Sequence, residues 1–208
     1  MKRKTKLVSG IGVNDADYAV TGYTKINGSS RRIWSCPIYL SWCNMLRRAS
    51  PGDYQNKFPT YSGCSVADEW LSFSSFSAWM LSQDWENNHL DKDLLFPGNK
   101  EYRPDRCVFV SPRVNIFIID SGASRGIWPI GVHWVARDKK FQASCRNPFS
   151  NKQESLGLYL SPEDAHRAWR RRKHEHALRY AEMQSDPRIA DALRTRYLTI
   201  EDIDNAIA

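Results

Sequence analysis

Seven side chains in the last third of the chain sit where they could read a polyanion by hydrogen bonding. His133, Arg137, Gln142, Ser144, Arg146, Gln153 and Ser155 alternate with Val132, Trp134, Ala136, Phe141, Ala143 and Cys145. A period of two puts one set on each face of a strand. The donors therefore form one surface, with few acids beside them. A small sheet of this kind can enter the major groove of DNA, where Arg pairs with guanine and Gln or Asn with adenine. Lys139, Lys140 and Lys152 fall at turns where phosphates would pass. The plainer reading is a solvated sheet face with ordinary basic side chains.

Charge favours the first reading. Arg125 to Tyr180 holds twelve Lys and Arg against five Asp and Glu, a surplus of seven. The whole chain has 30 basic and 23 acidic residues, so the remainder carries eighteen of each sign and sums to zero. A neutral body with one strongly basic module suggests a nucleic-acid partner.

Three short strands followed by one helix must position these residues. Val132, Trp134 and Ala136 of the first strand point inward, and His133, Val135 and Arg137 outward. Phe141, Ala143 and Cys145 point inward from the second, and Leu156 and Tyr159 from the third. Ser161-Pro162-Glu163-Asp164 reads as a helix start, with a Ser N-cap, Pro in the first position and acids in the first turn. Ala165, Ala168 and Trp169 then cover the sheet. The basic run Arg167 to Lys173 offers a weaker reading, an RNA-binding or inhibitory protein that uses this helix on another polyanion.

Upstream, Ile38 to Arg48 reads as a helix begun by Pro37 and ended by Ser50-Pro51-Gly52-Asp53. Cys64 to Trp70 reads as extended, and Ser72 to Ser82 as a helix with Phe73, Phe76, Trp79 and Met80 on its core face. Leu90 to Leu95 reads as a strand, Pro97 to Lys100 as a turn and Arg103 to Arg106 as a helical turn. Cys107 to Val110 is an apolar run that Ser111-Pro112 closes. The tail predicts a helix over Pro187 to Tyr197 and another from Thr199. At 208 residues, with 41% hydrophobic and 25% charged content, the chain has room for one or two cored domains. No run is apolar and long enough to span a membrane, and MKRKTKLVSG lacks the apolar stretch of a secretory signal. The five cysteines are odd in number and lack a C-x-x-C pair, which argues against a zinc site and for reduced thiols of a cytoplasmic protein without a disulfide-linked partner.

The basic module resembles the plant ethylene-response-factor (Apetala-type) DNA-binding domain, in the form also found in phage endonucleases. The matching pieces are Gly131-Val132, Lys140-Phe141, Leu156-Gly157 with Tyr159, and Glu163, Ala165 and Ala168-Trp169. That family places its sheet in the major groove, which implies that His133, Arg137, Gln142, Ser144, Arg146, Gln153 and Ser155 face the bases. Ser155 stands where the plant domains carry Trp, so no base preference carries over.

The segment Tyr39 to Asn115 is similar to the phage HNH-family homing-type endonucleases that often carry this module. Its matching stretches are Trp42, Met45, Leu46, Arg47 and Arg48, then Asp68-Glu69-Trp70, Leu90-Asp91-Lys92-Asp93, Gly98-Asn99-Lys100 with Tyr102 and Pro104, and Cys107 to Val110. The resemblance implies a ββα unit around one magnesium or manganese ion, hydrolysing a phosphodiester of double-stranded DNA. Asp91 would be the hairpin ligand, Asp93 a second oxygen donor and Asn99 the residue bracing the loop. Two residues depart from the pattern. Lys92 stands where the family often has the His base, and Arg106 where the helix offers His or Asn; a guanidinium cannot ligate a metal. His89 shares a strand face with Asp91 and could serve as base instead. Lys100, Arg103, Arg106 and Arg113 would clamp phosphate. The expected fold is α+β: an N-terminal arm (1–23), an HNH-like domain (24–120), a linker (121–126), a three-stranded antiparallel sheet packed on one helix (127–183) and a helical tail (184–208). The expected protein is a phage-encoded endonuclease of the bacterial host cytoplasm, and the alternative a DNA-binding or regulatory protein that has lost catalysis.

Overall fold

Asn27 and Gly28 have φ of 50° and 79°, the left-handed pair that a type I′ hairpin turn requires. They join β1 (Thr21–Ile26) to β2 (Ser29–Ser35) in an antiparallel ribbon. The computed structural model describes residues 7–119 and 126–198 of the chain. Its fold is mixed α+β, and its contacts divide the chain between Val110 and Ser111 into two compact units.

The core of the first unit is built on α1 (Pro37–Ala49), one residue longer at each end than the spacing predicts. Trp42, Met45 and Leu46 of α1 are buried against Trp70, Phe73, Phe76 and Met80. After α2 (Asp53–Lys57), the stretch expected to be extended divides in two: β3 (Ser65–Val66) and a 3-10 turn, Asp68–Leu71. The turn tips Trp70 into the core, where its carbonyl accepts the Trp42 indole N–H at 2.7 Å. Next comes α3 (Phe73–Leu81), N-capped by Ser72. Asp15 holds that helix start, taking the Ser74 N–H at 2.8 Å and the Ser72 and Ser74 hydroxyls at 2.6 Å. Val8 and Ile11 pack on the same core, so part of the stretch expected to be an arm belongs to this unit.

The predicted strand Leu90–Leu95 is shorter and earlier, as β4 (His89–Asp91). It stops because Asp91 Oδ1 accepts the backbone N–H groups of Asp93 (2.9 Å) and Leu94 (2.7 Å), an Asx turn that competes with the ladder. β5 (Glu101–Tyr102) pairs in parallel with β3, and β6 (Val108–Val110) antiparallel with β4.

In the second unit, Ser111-Pro112 starts a helix rather than only closing a strand. Ser111 accepts the Val114 N–H and caps α4 (Pro112–Ile118). The sheet runs β7 (Val132–Val135), β8 (Lys140–Arg146), β9 (Gln153–Tyr159), all antiparallel, and packs through Phe141 and Ala143 on Ala165 and Ala168 of α5 (Pro162–Ala181). Ser161 caps α5 as expected, accepting the Asp164 N–H at 3.1 Å. Leu156 and Tyr159 lie three residues apart yet both pack on this core. A bulge opposite Ala143–Ser144 leaves Leu156 without a partner and restores the phase. Ala136 and Arg137 fall beyond β7 in the turn, and Trp134, expected inward, leans on Phe141 but stays 44% exposed on the edge strand. The tail helix is α6 (Pro187–Thr195), whose Ile189, Ala190 and Leu193 are buried. The helix expected from Thr199 and most of the 121–126 linker lie outside the described residues.

Candidate nucleic-acid interface and the Asp91 loop

The outward face of the sheet is organised by one hydrogen-bonded chain across its three strands. The His133 Nε2–H donates to Gln142 Oε1 at 2.9 Å, and Gln142 Nε2 donates to the Ser155 hydroxyl at 2.9 Å. These contacts fix the Gln142 amide in one orientation. A primary amide has two N–H groups and two carbonyl lone pairs, so half of its capacity remains for a ligand. Lys140, Ser144 and Arg146 lie on the same side of β8 by alternation, and Arg146 is cross-strand to Gln153. Leu158, opposite Gln142 and 43% exposed, adds an apolar patch that the sequence reading did not place there.

No Asp or Glu of the three strands faces this side. Glu154, their one acid, pairs with Cys145 on the helix side. It accepts Arg172 Nε at 2.7 Å and Nη2 at 2.9 Å, Asn147 Nδ2 at 2.8 Å and His176 Nε2 at 3.3 Å. The Arg172 guanidinium, with the help of Asn147, holds its carboxyl down at about 2, and burial pushes His176 toward its neutral form. Arg137 departs from its expected place. It is held at the hairpin turn by two bonds to Asp138, at 2.9 and 3.0 Å, and so lies off the base-facing surface. Lys139, with φ of 48°, occupies the left-handed position of that turn, and Lys152 sits just before β9. Among the described residues Lys139, Lys140, Arg146 and Lys152 make no ion pair.

The basic helix is different. Arg167 pairs with Asp164, and Arg172 with Glu154 and Glu175. Arg170 donates to the Tyr197 and Leu198 carbonyls at 3.0 and 2.6 Å. Lys173 lies 3.7 Å over the Phe117 ring, where desolvation lowers its ammonium to about 8. Four of the six helix cations are therefore engaged within the unit, while Arg171 and Arg179 stay exposed and make no ion pair among the described residues.

In the first unit, Asn99 braces the loop between β4 and β6. Its Nδ2 donates to the Lys92 carbonyl (2.6 Å) and the Glu101 carbonyl (2.7 Å), and its Oδ1 accepts from Glu101 N (3.2 Å) and Arg106 Nη1 (3.3 Å). Leu90 packs on the core, so His89 and Asp91 share the opposite strand face. Lys92 is buried, and its ammonium bridges Asp93 Oδ2 and the Asn99 carbonyl, both at 3.0 Å. Arg106 lies in a turn before β6 rather than on a helix, and the helix that follows β6 is α4. Three of the four cations expected to clamp phosphate have partners of their own, Arg103 with Glu101 and Asp105, Arg106 with Glu101, and Lys100 with the Thr60 carbonyl, while Arg113 lies in the first turn of α4 in the second unit.

Much of this donor set is already engaged within the loop. One Asp91 oxygen caps a turn, Asp93 is held by a resident ammonium, and no group of three or more His, Cys, Asp or Glu among the described residues could hold a metal. No helix among the described residues is long and apolar enough to cross a membrane, and the five cysteines are thiols, four of them buried. No family model, curated protein or solved structure matches the chain.

Proposed function

We propose that this protein binds double-stranded DNA through the outward face of β7, β8 and β9. The observation that carries the reading is the division of charge in the second unit. Lys140 and Arg146 stand without acids on a face organised by His133, Gln142 and Ser155, while Glu154, the one acid of the three strands, is turned to the helix side and paired with Arg172. Three strands about 4.8 Å apart span about 10 Å, which suits a major groove about 12 Å wide. Arg146 and Gln142 would meet base edges, and Lys139, Lys140 and Lys152 phosphates. Arg146→Ala, measured by competition among duplexes of varied sequence, tests this. A loss of about 1–3 kcal/mol with relaxed sequence preference is the expected result. A double Lys140→Ala/Arg146→Ala variant that binds like the parent would overturn it.

A second reading, phosphodiester hydrolysis of the HNH type with magnesium or manganese, is favoured by His89 and Asp91 sharing a strand face beside a loop that Asn99 braces. The donor geometry supports it less well than it supports binding. Supercoiled DNA incubated with each metal and with chelator separates the two. Metal-dependent nicking that Asp91→Ala abolishes would establish hydrolysis. Salt-sensitive binding without nicking would leave a DNA-binding or regulatory protein.

A further inference from the structure

The β1–β2 ribbon is a second surface with the composition of a nucleic-acid contact. It is a sheet of two strands only, tied to the first core at its base by the Cys36 N–H to Val20 carbonyl bond at 2.8 Å. An isolated two-stranded ribbon is marginal in water, yet this one leaves Tyr23 (60%), Ile33 (65%) and Trp34 (50%) exposed. Trp34 stands opposite Gly22, where an added Cβ would lie 3.6 Å from the Trp34 Cβ. Ile33 occupies a bulge between the Gly22–Trp34 and Tyr23–Arg32 pairs, which turns the apolar end outward. Scattered exposed apolar residues need no explanation, but Ile33 and Trp34 side by side, both within 4 Å of where a Gly22 Cβ would stand, do.

Charge indicates what would cover it. Lys25, Arg31 and Arg32 lie on the same ribbon, and no Asp or Glu occurs from Tyr18 to Gly52. Among the described residues none of the three cations makes an ion pair. Cations interleaved with exposed aromatic and branched side chains match a duplex groove, which offers phosphates at its rims and sugars, methyl groups and base edges within. We infer that the β1–β2 ribbon is a second DNA contact, with Arg31 and Arg32 on phosphates and Trp34 and Ile33 against the groove wall. The inference rests on the reading that DNA is the partner of this protein, but it uses none of the sheet residues.

The test compares Arg31→Ala/Arg32→Ala, Trp34→Ala and Lys140→Ala/Arg146→Ala in the full chain, by fluorescence anisotropy with a labelled 30-base-pair duplex between about 50 and 200 mM salt. Each phosphate contact contributes about 0.9 to the slope of log affinity against log salt. Arg31→Ala/Arg32→Ala should lower that slope by about 2, and thus shrink the affinity loss across the salt range by roughly tenfold. Trp34→Ala should weaken binding several-fold at every salt concentration and leave the slope unchanged, with circular dichroism matching the parent. A parental slope and affinity for both ribbon variants, while the sheet variant loses binding, would overturn the ribbon and leave the sheet reading intact. Loss in the ribbon variants alone would do the reverse. Ribbon-dependent binding to anionic phosphatidylserine vesicles, with no duplex binding by the parent, would overturn both.

Discussion

Gly131→Ala should unfasten the sheet from its helix. Gly131 has φ of 80°, and a Cβ there would lie 2.0 Å from Trp169 Cδ1 and 2.2 Å from Cγ. The indole cannot swing away cheaply. It is 8% exposed, stacks on the His166 ring at 5.4 Å and meets the Tyr197 ring edge-on at 6.0 Å. The backbone is equally pinned, since His166 Nδ1 donates to the Ile130 carbonyl at 2.9 Å and Ser144 N to the Gly131 carbonyl at 2.9 Å. A left-handed alanine costs about 1 kcal/mol and overpacking about 1–3 kcal/mol, so the total is about 2–4 kcal/mol. Native-state hydrogen exchange at the β8 amides reads this loss in the second unit alone. Trp169→Ala should remove the clash, so the double variant should lose less than the sum of the singles by about 1–3 kcal/mol. Protection of the β8 amides within about 0.5 kcal/mol of the parent in Gly131→Ala, or strict additivity in the double variant, would refute the reasoning.

Other perturbations follow from the same geometry. Asn99→Ala removes both carboxamide donations across the Asp91 loop and should destabilise the first unit by about 2–4 kcal/mol, read as faster exchange at the Glu101 and Tyr102 amides. Unchanged exchange there would mean that the loop is held by Lys92 instead. Glu154→Gln should cost about 1–2 kcal/mol at neutral pH, since the pair with Arg172 is partly screened. The folded Glu154 carboxyl is held at about 2, below its ordinary 4.5. Its contribution is therefore complete above about 4.5 and is lost as pH falls toward about 2. Acid unfolding of Glu154→Gln should be flatter in that window; an identical acid profile would contradict the network.

The sheet was legible because its information is local. In β8 a strict alternation of Phe141, Ala143 and Cys145 with polar residues admits one register only, and Ser161-Pro162 marks the helix start by capping chemistry alone. The turn residues were harder. Arg137 continues the alternation of β7 but leaves the strand because Asp138, its neighbour, offers a carboxylate within the turn. Asp91 reads equally as a ligand or as a cap until the positions of Asp93 and Leu94 are known. Glu154 and Arg172 are eighteen residues apart, so nothing in either segment marks them as partners. The ribbon is the opposite case: Asn27-Gly28 between alternating residues is a strong hairpin signal, although the charge surplus of the chain lies in the other unit.

The central claim is that the second unit meets DNA with its sheet, and the salt dependence of duplex binding tests it most directly. The full chain and its Lys140→Ala/Arg146→Ala variant would be titrated with the same duplex across the same salt range. The account predicts steeply salt-dependent binding by the parent, with a slope lower by about 1 in the variant from Lys140 on phosphate and a further affinity loss at every salt concentration from Arg146 on a base. Duplex binding with the same slope and affinity in both proteins, or none by the parent at low salt, would contradict it.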